Sequence, residues 1–145
     1  MANRFTKGKG TFGAVTVNTD LQVQDDAYIN GHLGVDVSAN NIADGASMAF
    51  VAADLLAGIV TATPTAARNL QAPTAASIIS AVNPATATGI GIEFTVINLA
   101  SATHALTLTV ATGTTFVGSV SVPAATSATF VARIASDSAV VIYRK

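Results

Sequence analysis

Residues 15–38 repeat every six positions, and this repeat constrains the fold more than any other feature of the chain. The segment divides into the hexads VTVNTD, LQVQDD, AYINGH and LGVDVS. Each hexad carries two apolar residues that are two positions apart, and the first three end in a polar corner of residue types that tolerate tight turns. The pattern therefore predicts a short strand that recurs every six residues.

A six-residue period is typical of β-solenoids, whose repeats bury their apolar side chains only by stacking on neighbouring repeats. Four hexads form little more than one coil, which leaves strand edges open in a single chain. We therefore expect residues 12–38 of three chains to build an intertwined trimeric stalk with its apolar columns on the three-fold axis. A β-meander is the alternative, although it does not explain the constant spacing. The residues expected to face the axis are Val15, Val17, Leu21, Val23, Ile29, Leu33 and Val35.

Composition favours self-association. Half of the residues are hydrophobic, 10% are charged and the mean hydropathy is +0.54, so we expect apolar surface to be buried against other copies. A net charge of −1 gives no general attraction to nucleic acid or to anionic lipid. The most apolar stretch, 48–60, is shorter than the roughly 20 residues of a membrane helix. We expect neither a nucleic-acid partner nor a membrane partner.

The segment after the repeat is expected to form a hinge over 39–47, because 36–45 is rich in turn-forming residues. Helical spacing over 48–55 then predicts a short helix that Asp44 or Ser47 could cap and Gly58 could end, with a strand as the alternative.

A β-sandwich is predicted for residues 48–145. Residues 59–63 are prone to form a strand, and Thr74 is a good N-cap for a second helix over 75–82. In-phase apolar residues then predict five strands between Ile90 and Ile142. Regular spacing of these strands predicts a mainly β domain, an antiparallel sandwich or jelly-roll-like fold.

The groups that could carry chemistry do not form a recognised catalytic set. His32 and His104 lack the spacing of paired metal ligands, and the outward phase of His32 argues against a ring of histidines on the trimer axis. The adjacent Asp25 and Asp26 point to opposite faces of a strand, and Glu93 is a lone carboxylate in the expected sandwich core. We therefore expect no enzyme activity, no cofactor and no small-molecule substrate.

The segment Asp36-x-Ser38-x-Asn40 resembles the start of a calcium-binding loop. Asn41 stands where that loop needs glycine, and Ser47 stands where it needs a bidentate glutamate. We therefore predict no metal site in this segment.

The N-terminal arm, residues 1–11, carries the basic side chains Arg4, Lys7 and Lys9. Lys7-Gly8-Lys9-Gly10-Thr11 resembles part of a phosphate loop, but the preceding strand and the earlier glycine of that motif are missing. A flexible basic arm is the better interpretation, and its three cations are candidates for docking on a larger assembly. A disordered terminus is the alternative.

Four stretches of the C-terminal part form a recognisable pattern: TPTAARNLQAPTAASIISAV (63–82), GIEFTVINLAS (91–101), TFVGSVSVPAATSATFVARI (115–134) and AVVIYRK (139–145). They resemble β-sandwich domains of tailed-phage virion proteins, and trimeric capsid decoration (cement) proteins most of all. The resemblance covers about the last 85 residues, and the hexads are similar to triple-stranded segments of phage fibres and spikes.

This resemblance implies a homotrimer that is made in the host cytoplasm and binds the major capsid protein on the outside of the virion head. It implies no catalytic residues. A tail fibre or spike component, a receptor-binding module and a carbohydrate-binding module are the alternatives. With two tyrosines and no tryptophan, the chain offers few aromatic platforms for a sugar.

Overall fold

A computed structural model describes residues 35–82 and 88–145, which form ten β-strands and two α-helices. No helix in these two ranges is long and apolar enough to cross a membrane. The helices are α1 (Ala52–Ala57) and α2 (Ala75–Val82). The strands are β1 (Ser38–Ile42), β2 (Met48–Ala49), β3 (Gly58–Ala62), β4 (Arg68–Gln71), β5 (Gly91–Asn98), β6 (Leu106–Thr109), β7 (Thr114–Val117), β8 (Ser121–Val122), β9 (Thr126–Ser136) and β10 (Ala139–Arg144).

The strands form two sheets, with the orders β1-β3-β5-β9-β10-β7 and β2-β4-β6-β8. The prediction of a mainly β chain is confirmed. The sheets are mixed, so the expectation of an antiparallel sandwich is wrong. The parallel pairs are β1–β3, β3–β5, β7–β10, β2–β4 and β4–β6, and the antiparallel pairs are β5–β9, β9–β10 and β6–β8.

Parallel pairing follows from the path of the chain. From β1 to β9, successive strands alternate between the two sheets, so neighbours within a sheet are often separated by one complete turn of the chain. From β1 to β6 the strands that repeat after such a turn run in the same direction, whereas β6 and β8 are antiparallel. The hairpin between β9 and β10 joins two strands that follow each other in one sheet.

The first two turns of the chain are versions of one β-β-α unit, β1-β2-α1 and β3-β4-α2. Their helices carry the related sequences AADLL (52–56) and AASII (75–79), and each helix buries its first and fourth residues. Equivalent positions therefore face the core in both turns. The six-residue pattern of the N-terminal segment did not predict this longer repeat.

Helix α1 begins later than predicted. Met48 and Ala49 pair with β4 before the helix starts, so neither Asp44 nor Ser47 is its cap. Val51 is the N-cap, and its amide N–H donates to Asp54 Oδ2 at 2.8 Å. The predicted end of the helix is confirmed.

Gly58 ends α1 with a backbone φ of 90°, a conformation that glycine adopts without a steric penalty. The predicted cap of α2 is also confirmed, because Thr74 Oγ1 accepts a hydrogen bond from the Ser77 N–H at 3.2 Å.

Strand β1 lies in the segment that was expected to be a hinge. All five of its residues pair with β3, and the Asn40 side-chain amide donates to Asp54 Oδ1 at 2.9 Å. Residues 38–42 therefore belong to the six-stranded sheet. Most of their side chains are exposed, so the segment lacks the apolar alternation that marks a strand.

The core lies between the two sheets and is continued by the buried faces of the helices. Phe94 stacks against Phe130 with ring centroids 5.5 Å apart, and Phe50 and Phe116 extend this aromatic group. Such ring pairs contribute about 1 kcal/mol each beyond the burial of their area.

The turn between β6 and β7 requires glycine at position 113. Gly113 has a φ of 78°, and a Cβ atom there would lie 2.6 Å from the Ser138 carbonyl oxygen and 2.8 Å from Ala75 Cβ. The backbone of this turn thus packs directly on α2 and on the β9–β10 turn.

Candidate interaction surface

The six-stranded sheet has an outer face, directed away from the four-stranded sheet. Side chains alternate along each strand, so the buried residues of a strand identify the outward ones between them. Within the strands, Glu93 and Arg133 are the charged members of this face in the described chain. The outer face comprises Ala39, Asn41, Ile59, Thr61, Glu93, Thr95, Ile97, Thr115, Val117, Ser127, Thr129, Val131, Arg133, Val141 and Tyr143.

Polar groups on the outer face bond to one another across strands. The hydroxyls of Thr95 and Thr129 lie 3.1 Å apart at the centre of the face. Thr61 Oγ1 donates to Asn41 Oδ1 at 3.3 Å, near the β1 edge. Because these groups bond to each other, fewer of them lose a hydrogen bond to water when another surface covers the face. The free-energy cost of burying the face is therefore lower.

Glu93 lies on this outer face and not in the sandwich core, so its predicted position is wrong. Its exposed carboxylate forms an ion pair with the ammonium group of Lys145. The position follows from the strand phase, because the neighbouring Phe94 points inward. Pairing of the two charges leaves a face of low net charge.

An open groove of about 420 Å³ lies where the chain enters β1. Val35 and Val37 line one side of it, and Ile59 and Thr95 of the outer face line the other. Val35 is 70% exposed and Val37 is 51% exposed. Of the residues predicted to face the trimer axis, Val35 falls in the described ranges. The predicted residues that lie outside these ranges are Val15, Val17, Leu21, Val23, Ile29 and Leu33 of the axis set and Arg4, Lys7 and Lys9 of the basic arm.

Asp44 anchors the loop between β1 and β2. Its carboxylate accepts hydrogen bonds from Arg68 Nε at 2.8 Å, from the Thr65 amide at 3.1 Å and from the Thr65 hydroxyl. The bonds from Arg68, then those from Thr65, hold the pKa of Asp44 well below its ordinary value of 3.8. All of these partners are internal, which indicates a structural role for the cluster.

Asn98 is fully buried at the end of β5, and all its polar atoms are used. Its amide donates to the carbonyl oxygens of His104 and Val122 at 2.8 and 3.0 Å, and its own oxygen accepts from the Ala100 N–H at 3.1 Å. His104 thus supports the fold through its backbone. His32, the other histidine, lies outside the described residues.

Two open concavities of about 400 and 390 Å³ flank Ala125 at the end of the sandwich near Asn98. The first is lined mainly by small side chains such as Ala102 and Ala124, and the second is also lined by Ile97 and Leu99. All of the residues that line these two concavities are uncharged.

The segment with the calcium-loop resemblance contributes to β1. Ser38 and Asn40 lie in that strand, and Asn40 is engaged by Asp54. Within residues 35–82 and 88–145, no group of three histidine or carboxylate side chains is placed to hold a metal ion.

The outer face and its groove were not identified from the sequence. Strand alternation was visible there, but it distinguishes the two faces without showing what covers the outer one.

Comparisons of the chain with protein-family models, curated proteins and solved structures gave no match.

Proposed function

We propose that the protein is a capsid decoration protein, a homotrimer that binds the assembled head of a tailed phage and stabilises the shell. The outer face of the six-stranded sheet is the observation that carries this proposal. Its low charge, its internally bonded polar groups and the exposed valines beside it suit permanent contact between protein surfaces. The apolar composition and the resemblance to cement proteins point the same way.

In this proposal the hexads form the trimeric stalk, and the basic arm with Arg4, Lys7 and Lys9 docks on the major capsid protein. The sandwich closes the trimer above the shell. Three arms that bind together give an avidity far above the affinity of one arm.

Stabilisation follows from mass action. A ligand that binds only the assembled shell lowers the free energy of that state by RT ln(1 + [L]/Kd), about 2.7 kcal/mol per site at a concentration of 100 Kd. No chemical step is needed.

The proposal is tested with heads of the encoding phage prepared without this protein. Purified protein should bind the heads saturably, appear at three-fold positions in electron micrographs and raise the temperature at which the heads release DNA. Replacing Arg4, Lys7 and Lys9 by alanine should weaken binding while leaving the trimer intact. Binding to tail tips or to host cells in place of heads would favour the fibre or receptor-binding alternative.

A further inference from the structure

The edge strands of the two sheets differ in length and in sequence. In the four-stranded sheet the edge strands β2 and β8 have two residues each, and Pro123 follows β8 directly. Very short strands and proline are common means of blocking a sheet edge. Within residues 35–82 and 88–145, the six-stranded sheet ends in β1 with five residues and in β7 with four. Neither strand contains lysine, proline or a bulge, so these two edges can accept another strand.

The two open edges are complementary in direction. β1 runs parallel to β3 and β5, β9 is antiparallel to β5, and β10 and β7 run parallel to β1 again. Where the strands of three copies tilt around a common rotation axis, as they do in barrels, β1 of one copy can meet β7 of the next in parallel. Such a head-to-tail contact closes into a ring when the rotation fits.

Exposed valines flank both edges on the outer side of the sheet. Val35 and Val37 stand beside β1, and Val117 of β7 is 50% exposed next to Tyr143 at 38%. A strand added to either edge would cover part of this apolar surface and remove it from water, which adds a hydrophobic contribution to the new backbone hydrogen bonds.

We propose that β1 of one copy pairs in parallel with β7 of a second copy, which joins the six-stranded sheets into a closed three-membered ring. The inference depends on the homotrimer in the proposed function and names the strands that hold it together. It does not depend on binding to a capsid.

Disulfide trapping tests the pairing, because the chain contains no cysteine. Neighbouring strands lie about 4.8 Å apart, within the Cα separation that a disulfide spans. Cysteine at Ala39 or Asn41 is combined with cysteine at Thr115 or Val117, in all four pairings. At least one double variant should give covalent dimers and trimers on non-reducing gels.

Each single variant should stay uncrosslinked, because β1 then meets a strand without cysteine. A matched double variant on the blocked edges, Ala49→Cys with Ser121→Cys, should also give no covalent trimer. Crosslinking by Ala39→Cys alone would overturn the inference in favour of symmetric β1–β1 contact. Absence of crosslinks in all four pairings, whether the protein is trimeric or monomeric, would also overturn it.

A second experiment measures trimer formation without a disulfide crosslink. Val117→Lys places a charge on the β7 edge and should raise the concentration at which half of the protein is trimeric by about tenfold or more. Val110→Lys changes an equally exposed valine beyond the end of β6 and should leave that concentration unchanged. Equal effects of the two changes would contradict the pairing. Head binding is measured separately, so the ring can hold even where the decoration role fails.

Discussion

Asn98 shows how one residue joins three parts of the chain. It connects the end of β5 to the loop before β6 and to β8, and it is buried in a region made mainly of aliphatic side chains. A buried amide of this kind is favourable only while all of its partners are present.

We expect Asn98→Ala to lower the free energy of unfolding by about 3 kcal/mol, because two carbonyl oxygens and one N–H lose their partner. Asn69→Ala is the matched control at an exposed position in β4, and its effect should stay within about 0.5 kcal/mol. Urea denaturation of both variants measures the difference. Equal losses would show that the hydrogen bonds of Asn98 contribute little.

Asp44 should make the fold sensitive to acid. Its pKa is lower in the folded chain than the ordinary 3.8, so its stabilising contribution is complete above 3.8 and disappears as pH falls through the folded value. The stability difference between the wild type and Asp44→Asn should therefore shrink as pH is lowered from about 5 to about 2.

Arg68→Gln supplies the control for this pH effect. It removes the first cause of the lowered pKa, so Asp44→Asn should change the pH profile much less in that background. Thermal unfolding of the four proteins across the acid range gives the comparison. An equally large effect of Asp44→Asn on the pH profile in the native and Arg68→Gln backgrounds would contradict this account.

At the level of elements, the sequence predicted the helix boundaries and strands that depend on residues close together in the chain. Thr74 and Gly58 mark the helix boundaries, and alternation predicted β5, β6, β9 and β10. β4 was missed because Leu70 is its one buried residue, and β1 because its exposed side chains lack alternation. The parallel pairing was missed because it depends on contacts a full turn apart, which a local pattern does not encode.

The cap of α2 has a measurable contribution. Thr74→Ala removes the acceptor for the Ser77 N–H and should lower the free energy of unfolding by about 1 kcal/mol. Thr74→Ser keeps a hydroxyl at the same place and should retain most of the stability. Chemical denaturation distinguishes the two, and an equal loss in both variants would point to the threonine methyl group instead of the cap.

The β6–β7 turn should tolerate no side chain at position 113. Gly113→Ala adds a strained φ to a backbone clash and should cost about 3 kcal/mol or more. Gly45→Ala meets no atom within 4 Å and should change stability by about 0.5 kcal/mol at most. Melting temperatures of the two alanine variants provide the test, and similar values would show that the turn can move.

At the scale of the whole molecule, the proposed trimer predicts a contrast between adjacent residues of the hexads. Val23→Asp would place three carboxylates together on the axis and should cost several kcal/mol per trimer. Gln24 has the opposite phase, so Gln24→Asp should cost a few tenths of a kcal/mol. Light scattering of both variants measures the trimer directly. A monomeric wild type, or equal damage by both substitutions, would exclude the axis assignment.

The position of β10 also determines the order in which the molecule can be made. β10 fills the gap between β9 and β7, and β7 has no other partner strand within the described chain. The ribosome synthesises residues 139–144 after the other strands of the described chain, so the facing edges of β7 and β9 stay unpaired until β10 has been made. Phe116 and Phe130 lie on those two strands, so a chain in which β10 is not yet in place exposes both strand edges and aromatic residues that favour aggregation.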